Sequence, residues 1–152
     1  MRLALFEPDI PQNTGTLIRL GACMGLPLDI IEPCGFAWSD RGLKRAGLDY
    51  ADLAEVTRHE SWAAFHAACL SGSRLVLLTT KSHIIYTDFG FAPLDILLVG
   101  RESAGVPPEI HDAADARVTI PMCPPARSLN MAVAAAMVLG EALRQTRSFP
   151  AR

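Results

Sequence analysis

A chain of 152 residues is long enough for one domain, residues 1–152, that buries roughly 70% of the surface its unfolded form would expose. Half of its residues are hydrophobic and 20% charged, with 11 Gly and 11 Pro dispersed rather than repeated, a composition that excludes a disordered or fibrous chain. The formal net charge of −2 excludes a protein that coats nucleic acid indiscriminately, because such binding needs many phosphate contacts, and leaves room only for a local basic patch.

The amino-terminal M-R-L-A-L-F-E-P reaches Glu7 after a short apolar run, and no apolar stretch attains about 18 residues, so a cytoplasmic protein without signal peptide or membrane span is expected. Arg2 to Phe6 has the length of a buried strand, ended by Glu7-Pro8. After a loop from Asp9 to Asn13, the stretch Thr14 to Gly25 reads as a helix capped by Asn13 or Thr14 and stopped at Gly25, with Leu17, Ile18 and Leu20 facing inward. Arg19 falls about one and a half turns beyond Asn13, so its guanidinium either reaches back toward the helix entrance or is a solvated helix charge.

Leu28 to Ile31 reads as a second strand. From Phe36 to Tyr50, Arg41, Lys44 and Arg45 lie between Trp38 and Tyr50, the mixture of cations and rings suited to a nucleic-acid surface, or else a short amphipathic helix with a solvated face. Ala54 to Thr57 is a brief strand candidate, and Glu60 to Cys69 a packing helix with Ser61 near its start. Arg74 to Thr79 and Asp95 to Val99 are continuous apolar strands, the latter running into G-R-E-S-A-G-V-P-P from Gly100. Such runs alternating with helices predict an α/β fold, a mostly parallel sheet with helices on both faces, whose ligands lie beyond the strand C-termini. The candidate site therefore falls where strands end, around Thr79, Gly100 and Ile120.

From Ile120 to Gln145 the chain passes through a loop stiffened by Pro121, Pro124 and Pro125 into a stretch, Leu129 to Leu143, that is apolar almost all the way round. That pattern predicts a buried helix with a polar mouth at Arg127, Ser128 and Asn130. Cys23, Cys34, Cys69 and Cys123 form no CxxC pair and the four His no HExxH motif, so reduced, mostly buried thiols and no metal site are expected. Gly100 to Val106 lacks the GK[ST] of a P-loop, and no GxGxxG follows a strand. A nucleotide-like cofactor would have to be held by another construction.

Three blocks, E-P-D-I-P-Q-N-T-G-T-L-I-R-L from Glu7, L-L-V-G-R-E-S-A-G-V-P from Leu97 and I-P-M-C-P-P-A-R-S-L-N-M from Ile120, resemble the SPOUT class of RNA methyltransferases. Together with I-I-E-P-C-G-F-A-W and R-A-G-L-D-Y, their order and spacing look like the minimal tRNA (cytidine/uridine-34 2′-O)-methyltransferases across essentially the whole chain. The resemblance implies a C-terminal deep trefoil knot, which no periodicity argument would predict since true knots are rare. It implies S-adenosylmethionine as methyl donor, bound at Leu78, Thr79, Gly100, Glu102, Ile120, Met122, Ser128 and Met131.

It further implies 2′-O-methylation of the wobble nucleotide 34, cytidine or a modified uridine of leucine tRNA, by a homodimer that grips the anticodon stem-loop through Arg41, Lys44, Arg45 and Arg127. Arg19, Asn13, Ser128 and Asn130 are the catalytic set by the same likeness, with Arg19 assigned to the ribose hydroxyl. A guanidinium with a pKa above about 12 is a poor base, so an electrostatic role for Arg19 is the better expectation. Arg101 departs from the Pro usual at its position in this subfamily. The same blocks are compatible with 2′-O-methylation of another RNA, such as ribosomal RNA, or with a non-catalytic RNA-binding dimer.

Overall fold

A computed structural model describes residues 1–38, 41, 43, 45, 50, 53–69 and 71–151. In chain order the described elements are β1 (Arg2–Phe6), α1 (Pro11–Met24), β2 (Leu28–Ile31), β3 (Val56–His59), α2 (Trp62–Ala68), β4 (Leu75–Leu78), β5 (Ile96–Val99), α3 (Pro108–Ala113), β6 (Ala116–Val118) and α4 (Met131–Thr146). The strands form one sheet in the order β3-β2-β1-β5-β4-β6, and all their pairings are parallel.

Side-chain alternation divides the core between the two faces of the sheet. Leu3, Leu5, Leu28, Ile30, Val76, Leu97 and Val99 pack with Leu17 and Ile18 of α1 and with Ala135, Val138, Leu139 and Leu143 of α4. Ala4, Phe6, Ile31, Leu75, Leu77, Ile96 and Leu98 pack with Phe65 of α2 and Ile110 of α3. Covering both faces leaves no solvent side for β1, β2 and β5, which is why they read as unbroken apolar runs. The edge strand β3 carries Thr57, Arg58 and His59 instead, charge and polarity that blunt an exposed edge. Two buried carboxylates in this frame are satisfied: Asp29 accepts from Arg2 at 2.7 Å and lies 2.8 Å from His59, and Asp95 accepts from Arg74 at 2.8 Å.

Several boundaries differ from the sequence expectation. The first helix starts at Pro11, whose missing N–H costs nothing at that position, and its N-cap is Ile10, with no side-chain cap. Asn13 and Thr14 are thus inside the first turn, and the Asn13 side chain is free for a longer-range partner. Gly25 closes the helix at φ 64°, as expected. The third strand begins at Val56 rather than Ala54, the strand expected to end at Ile120 is β6 and ends at Val118, and α3, six residues long, is too short to show a period in the sequence.

The last helix is not buried all the way round. Met131, Ala135, Val138, Leu139, Ala142 and Leu143 face the core, whereas Val133 and Met137 are 51% and 40% exposed, as is Leu129, at 41%, on the loop just ahead of the helix. An apolar side facing solvent signals a surface that another molecule covers, so apolar periodicity alone overstated burial within one chain. The cysteines are also less buried than expected, Cys23 and Cys123 being exposed. No described helix is long and apolar enough to cross a membrane.

Candidate functional site at the sheet switch point

Between β1 and β5 the chain order along the sheet reverses, since β1 has β2 on one side and β5 on the other. Loops leaving two such strands diverge to opposite sides and open a crevice at their C-terminal ends. A cavity of about 460 Å³ occupies this crevice. It is bounded by Ile10 and Asn13 after β1, Gly100 to Val106 after β5, Leu78 to Lys81 after β4, Thr119, Ile120 and Met122 after β6, and Ser128 to Met131 leading into α4. That volume lies in the range of small-molecule sites, roughly 300–1,000 Å³.

The β5 loop is folded back on itself, with Arg101 N donating to Gly105 O at 3.0 Å and Gly105 N to Arg101 O at 2.8 Å. A Cβ placed on Gly100 would stand 2.5 Å from the Gly105 carbonyl carbon and 2.7 Å from its Cα. Backbone cannot yield as a side chain does, so Gly100 is required for the loop to close over the cavity. Gly105, at φ 70°, takes the left-handed conformation that completes the turn.

Three distant segments are joined behind the cavity by side-chain amides. Asn13 Nδ2 donates to Glu102 Oε1 at 3.0 Å, and Asn13 Oδ1 accepts from Asn130 Nδ2 at 2.9 Å. Asn130 Oδ1 in turn caps α4, accepting from Ala132 N at 2.9 Å and Val133 N at 3.2 Å. Glu102 Oε2 accepts the Asp9 N–H at 2.9 Å. Each amide uses its donor and acceptor ends on different segments, which fixes its orientation and locks the β1 loop, the β5 loop and the start of α4 together.

Charge is concentrated at the same corner. Burial pushes the Glu102 carboxyl above its ordinary range, and neighbouring Asp9 pushes it further in that direction. Asp9 moves the opposite way, held down by its hydrogen-bonded partnership with Glu102, by Ser103 and by the Arg101 charge. Two adjacent carboxyls are thereby driven apart, Glu102 upward and Asp9 downward. Arg101 lies 3.3 Å from Glu7 and 3.7 Å from Asp9. Its guanidinium therefore braces the β1 loop instead of extending outward.

All eight residues expected to hold a cofactor, Leu78, Thr79, Gly100, Glu102, Ile120, Met122, Ser128 and Met131, line this cavity, and so do Asn13 and Asn130. Arg19 does not. It is exposed on α1, and its guanidinium sits 4.7 Å above the Tyr50 ring rather than at the helix entrance. The α1 helix thereby meets the basic and aromatic segment, in which Arg41 and Arg45 are exposed, while Lys44 lies outside the described residues. Arg127 is exposed on the loop ahead of α4.

Asp9, Ile10 and His111 belong to the site without having been singled out in the sequence. Asp9 stood in a loop with no period, and its role is set by Glu102, more than ninety positions away. His111 is tied to Arg117, whose Nε lies 3.2 Å from the ring Nδ1 and donates to the His111 carbonyl at 2.8 Å; nothing in its spacing announces this. Among the described residues no group of three or more His, Cys, Asp or Glu is placed to hold a metal ion.

Comparison with known proteins adds the lineage. Residues 1–140 match the model of the SpoU rRNA Methylase family. The tRNA (cytidine(34)-2′-O)-methyltransferase of Beijerinckia indica is 63% identical over 144 residues, covering 94% of this chain and 90% of that protein. A solved structure described as giving insight into 2′-OH methylation of C/U34 on tRNA superposes with a TM-score of 0.91 at 41% identity, over 95% of this chain and 94% of the other. The SpoU methyltransferase AviRb of Streptomyces viridochromogenes, solved in complex with the cofactor AdoMet, superposes with a TM-score of 0.83 at 28% identity, over 95% of this chain and 60% of its own. With its glycine-closed crevice, its amide-linked loops and a family match that spans nearly its full length, the chain belongs to the SpoU rRNA Methylase family.

Proposed function

We infer that this chain is an S-adenosylmethionine-dependent methyltransferase acting on the ribose 2′-hydroxyl of nucleotide 34 of tRNA. The observation that carries the reading is the switch-point cavity, in which a backbone-lined loop and apolar side chains meet a fixed array of amides. S-adenosylmethionine fits such a site: Leu78, Ile120, Met122 and Met131 offer apolar walls, and the Gly100 cradle admits close backbone approach. When bound, it supplies a methyl group activated by a positively charged sulfur.

With the electrophile already activated, the protein's task is to hold a near-attack geometry and ease the hydroxyl's loss of its proton. Glu102, Asn13 and Asn130 keep the cavity walls in register, so that the reacting groups meet in line. Arg19, outside the cavity, acts on the ribose side. Its fixed positive charge stabilises negative charge developing on the 2′-oxygen and orients an adjacent phosphate, with the proton leaving to phosphate or water. Ser128, at the cavity mouth, completes the catalytic set.

The same reading includes one domain over residues 1–152, a cytoplasmic location, a homodimer and a knotted C-terminal segment. The knot is supported by the loop between β4 and β5, which engages both later segments: Thr119 N donates to Ile84 O at 2.8 Å, and Gln145 bonds Phe89 O and Phe91 N. The dimer is supported by the exposed apolar side of α4. A second subunit also enlarges the surface available for an anticodon stem-loop, contacted by Arg41, Lys44, Arg45 and Arg127.

Incubation with labelled S-adenosylmethionine and total tRNA, followed by mapping of the modified nucleotide, tests the reading. Methyl groups are expected at the ribose of position 34, and tRNA left unlabelled would overturn it.

A further inference from the structure

A second pocket, of about 350 Å³, opens at the C-terminal ends of β2 and β3 and has no part in the site described above. Its walls include Phe36 and Trp38, the Arg58 guanidinium and the carboxylates of Glu32 and Glu60. The Arg58 guanidinium lies over Trp38, its Cζ 4.7 Å from the ring centroid, while its Nε donates to Glu32 Oε1 at 2.9 Å. The result is a layered aromatic and guanidinium platform with acceptor oxygens at its edge. Burial pushes the Cys34 thiol in the same wall up to about 11, so it stays neutral and offers no thiolate chemistry at ordinary pH.

We propose that this pocket receives a nucleobase of the RNA substrate, one flanking the nucleotide whose ribose is methylated. Bases of single-stranded loops are recognised by stacking on aromatic rings or guanidinium planes and by hydrogen bonds along their edges. Both means are present here. Among the described residues Glu32 Oε2 has no hydrogen-bond partner, so the carboxylates accept from a base that presents N–H groups, such as the amino group of cytosine, adenine or guanine. Two carboxylates at the same place disfavour a phosphate, which leaves the base rather than the backbone as the group that enters.

Placement supports the assignment. All strands are parallel, so this pocket and the cofactor cavity open at the same edge of the sheet. From β2 to β5 is two strand spacings, on the order of 10 Å, a span covered by a few nucleotides of single-stranded RNA. The two sites are also mechanically continuous. Gly35 N donates to Pro8 O at 2.9 Å, and a Cβ on Gly35 would lie 2.6 Å from Asp9 Cβ, so the pocket's own loop rests on the residue that Glu102 holds. A base seated at Trp38 thus sets its register against the walls of the cofactor cavity.

The proposal rests on the RNA methyltransferase reading, and its test separates the two. The chain has two tryptophans, and Trp62, packed edge-on against Phe6 at 6.3 Å, lines neither pocket. In a Trp62→Phe background Trp38 is the sole tryptophan emitter. Titration with an anticodon stem-loop RNA should quench it saturably, and Trp38→Ala or Arg58→Ala should raise the KM for RNA roughly tenfold, the scale of one lost base stack, while leaving the Kd for S-adenosylmethionine unchanged. Trp38→Phe should recover most of the loss. RNA methylated with no change in Trp38 emission overturns the pocket and leaves the enzyme reading intact. Quenching without methyl incorporation sustains the pocket and overturns the enzyme reading, and RNA that does not bind at all overturns both.

Discussion

Asn13 and Glu102, the one on α1 and the other on the loop after β5, are joined by a 3.0 Å hydrogen bond that spans 89 positions of the chain. Glu102 → Ala leaves the Asn13 amide and the Asp9 N–H without acceptors in a half-buried corner. At about 1–3 kcal/mol for each of the two unsatisfied groups, the variant should lose roughly 2–6 kcal/mol of stability. Urea denaturation checks the loss, and calorimetry should show weaker binding of S-adenosylmethionine. A variant as stable as the parent would mean that these bonds do not hold the loop.

Gly100 is expected to tolerate no side chain. An added Cβ meets the Gly105 backbone at 2.5 Å, and the loop must open to relieve it. Gly100→Ala should therefore cost about 1–3 kcal/mol, the range seen for overpacking, and abolish cofactor binding at concentrations that saturate the parent. Thermal unfolding and calorimetry report the two effects separately. Binding retained at parental affinity would contradict the cradle.

For Arg19 the decisive contrast is between turnover and cofactor affinity. Because its guanidinium lies over Tyr50 and outside the cavity, Arg19→Ala should leave the Kd for S-adenosylmethionine within about twofold. It should lower kcat by roughly 10²–10³, the scale of one lost donor to a developing oxyanion. Arg19→Lys keeps the charge but not the planar fork, and near-normal turnover in that variant would favour charge alone.

Val133 and Met137, exposed on the outer side of α4, should govern self-association. A Val133→Glu, Met137→Glu double variant removes apolar area that would otherwise be shielded and brings like charges together across a twofold interface. Sedimentation velocity should show the parent as a dimer and the variant as a monomer with unchanged secondary structure. A parent that sediments as a monomer at all concentrations would eliminate the dimer.

The sheet was legible in the sequence wherever burial on both faces imposed a continuous apolar run, as at Arg2 to Phe6, Arg74 to Thr79 and Asp95 to Val99. The helix stop at Gly25 was legible because its left-handed conformation favours glycine. The family was legible too, since its blocks fall at loops whose backbone demands particular residues, Gly100 above all. Beyond these lay everything that depends on residues far apart in the chain. Pro11 moved the start of α1 and turned Asn13 from a cap into a link between Glu102 and Asn130; local cap preferences contain no information about either partner. Apolar periodicity marked α4 as covered on every side but did not say by what, and only the packed chain separates the side that meets the sheet from the side left for another molecule. Hydrophobic pattern and backbone constraint are local quantities. Which loops share a cavity, and which carboxyl there is pushed up and which down, are decided by tertiary contact alone.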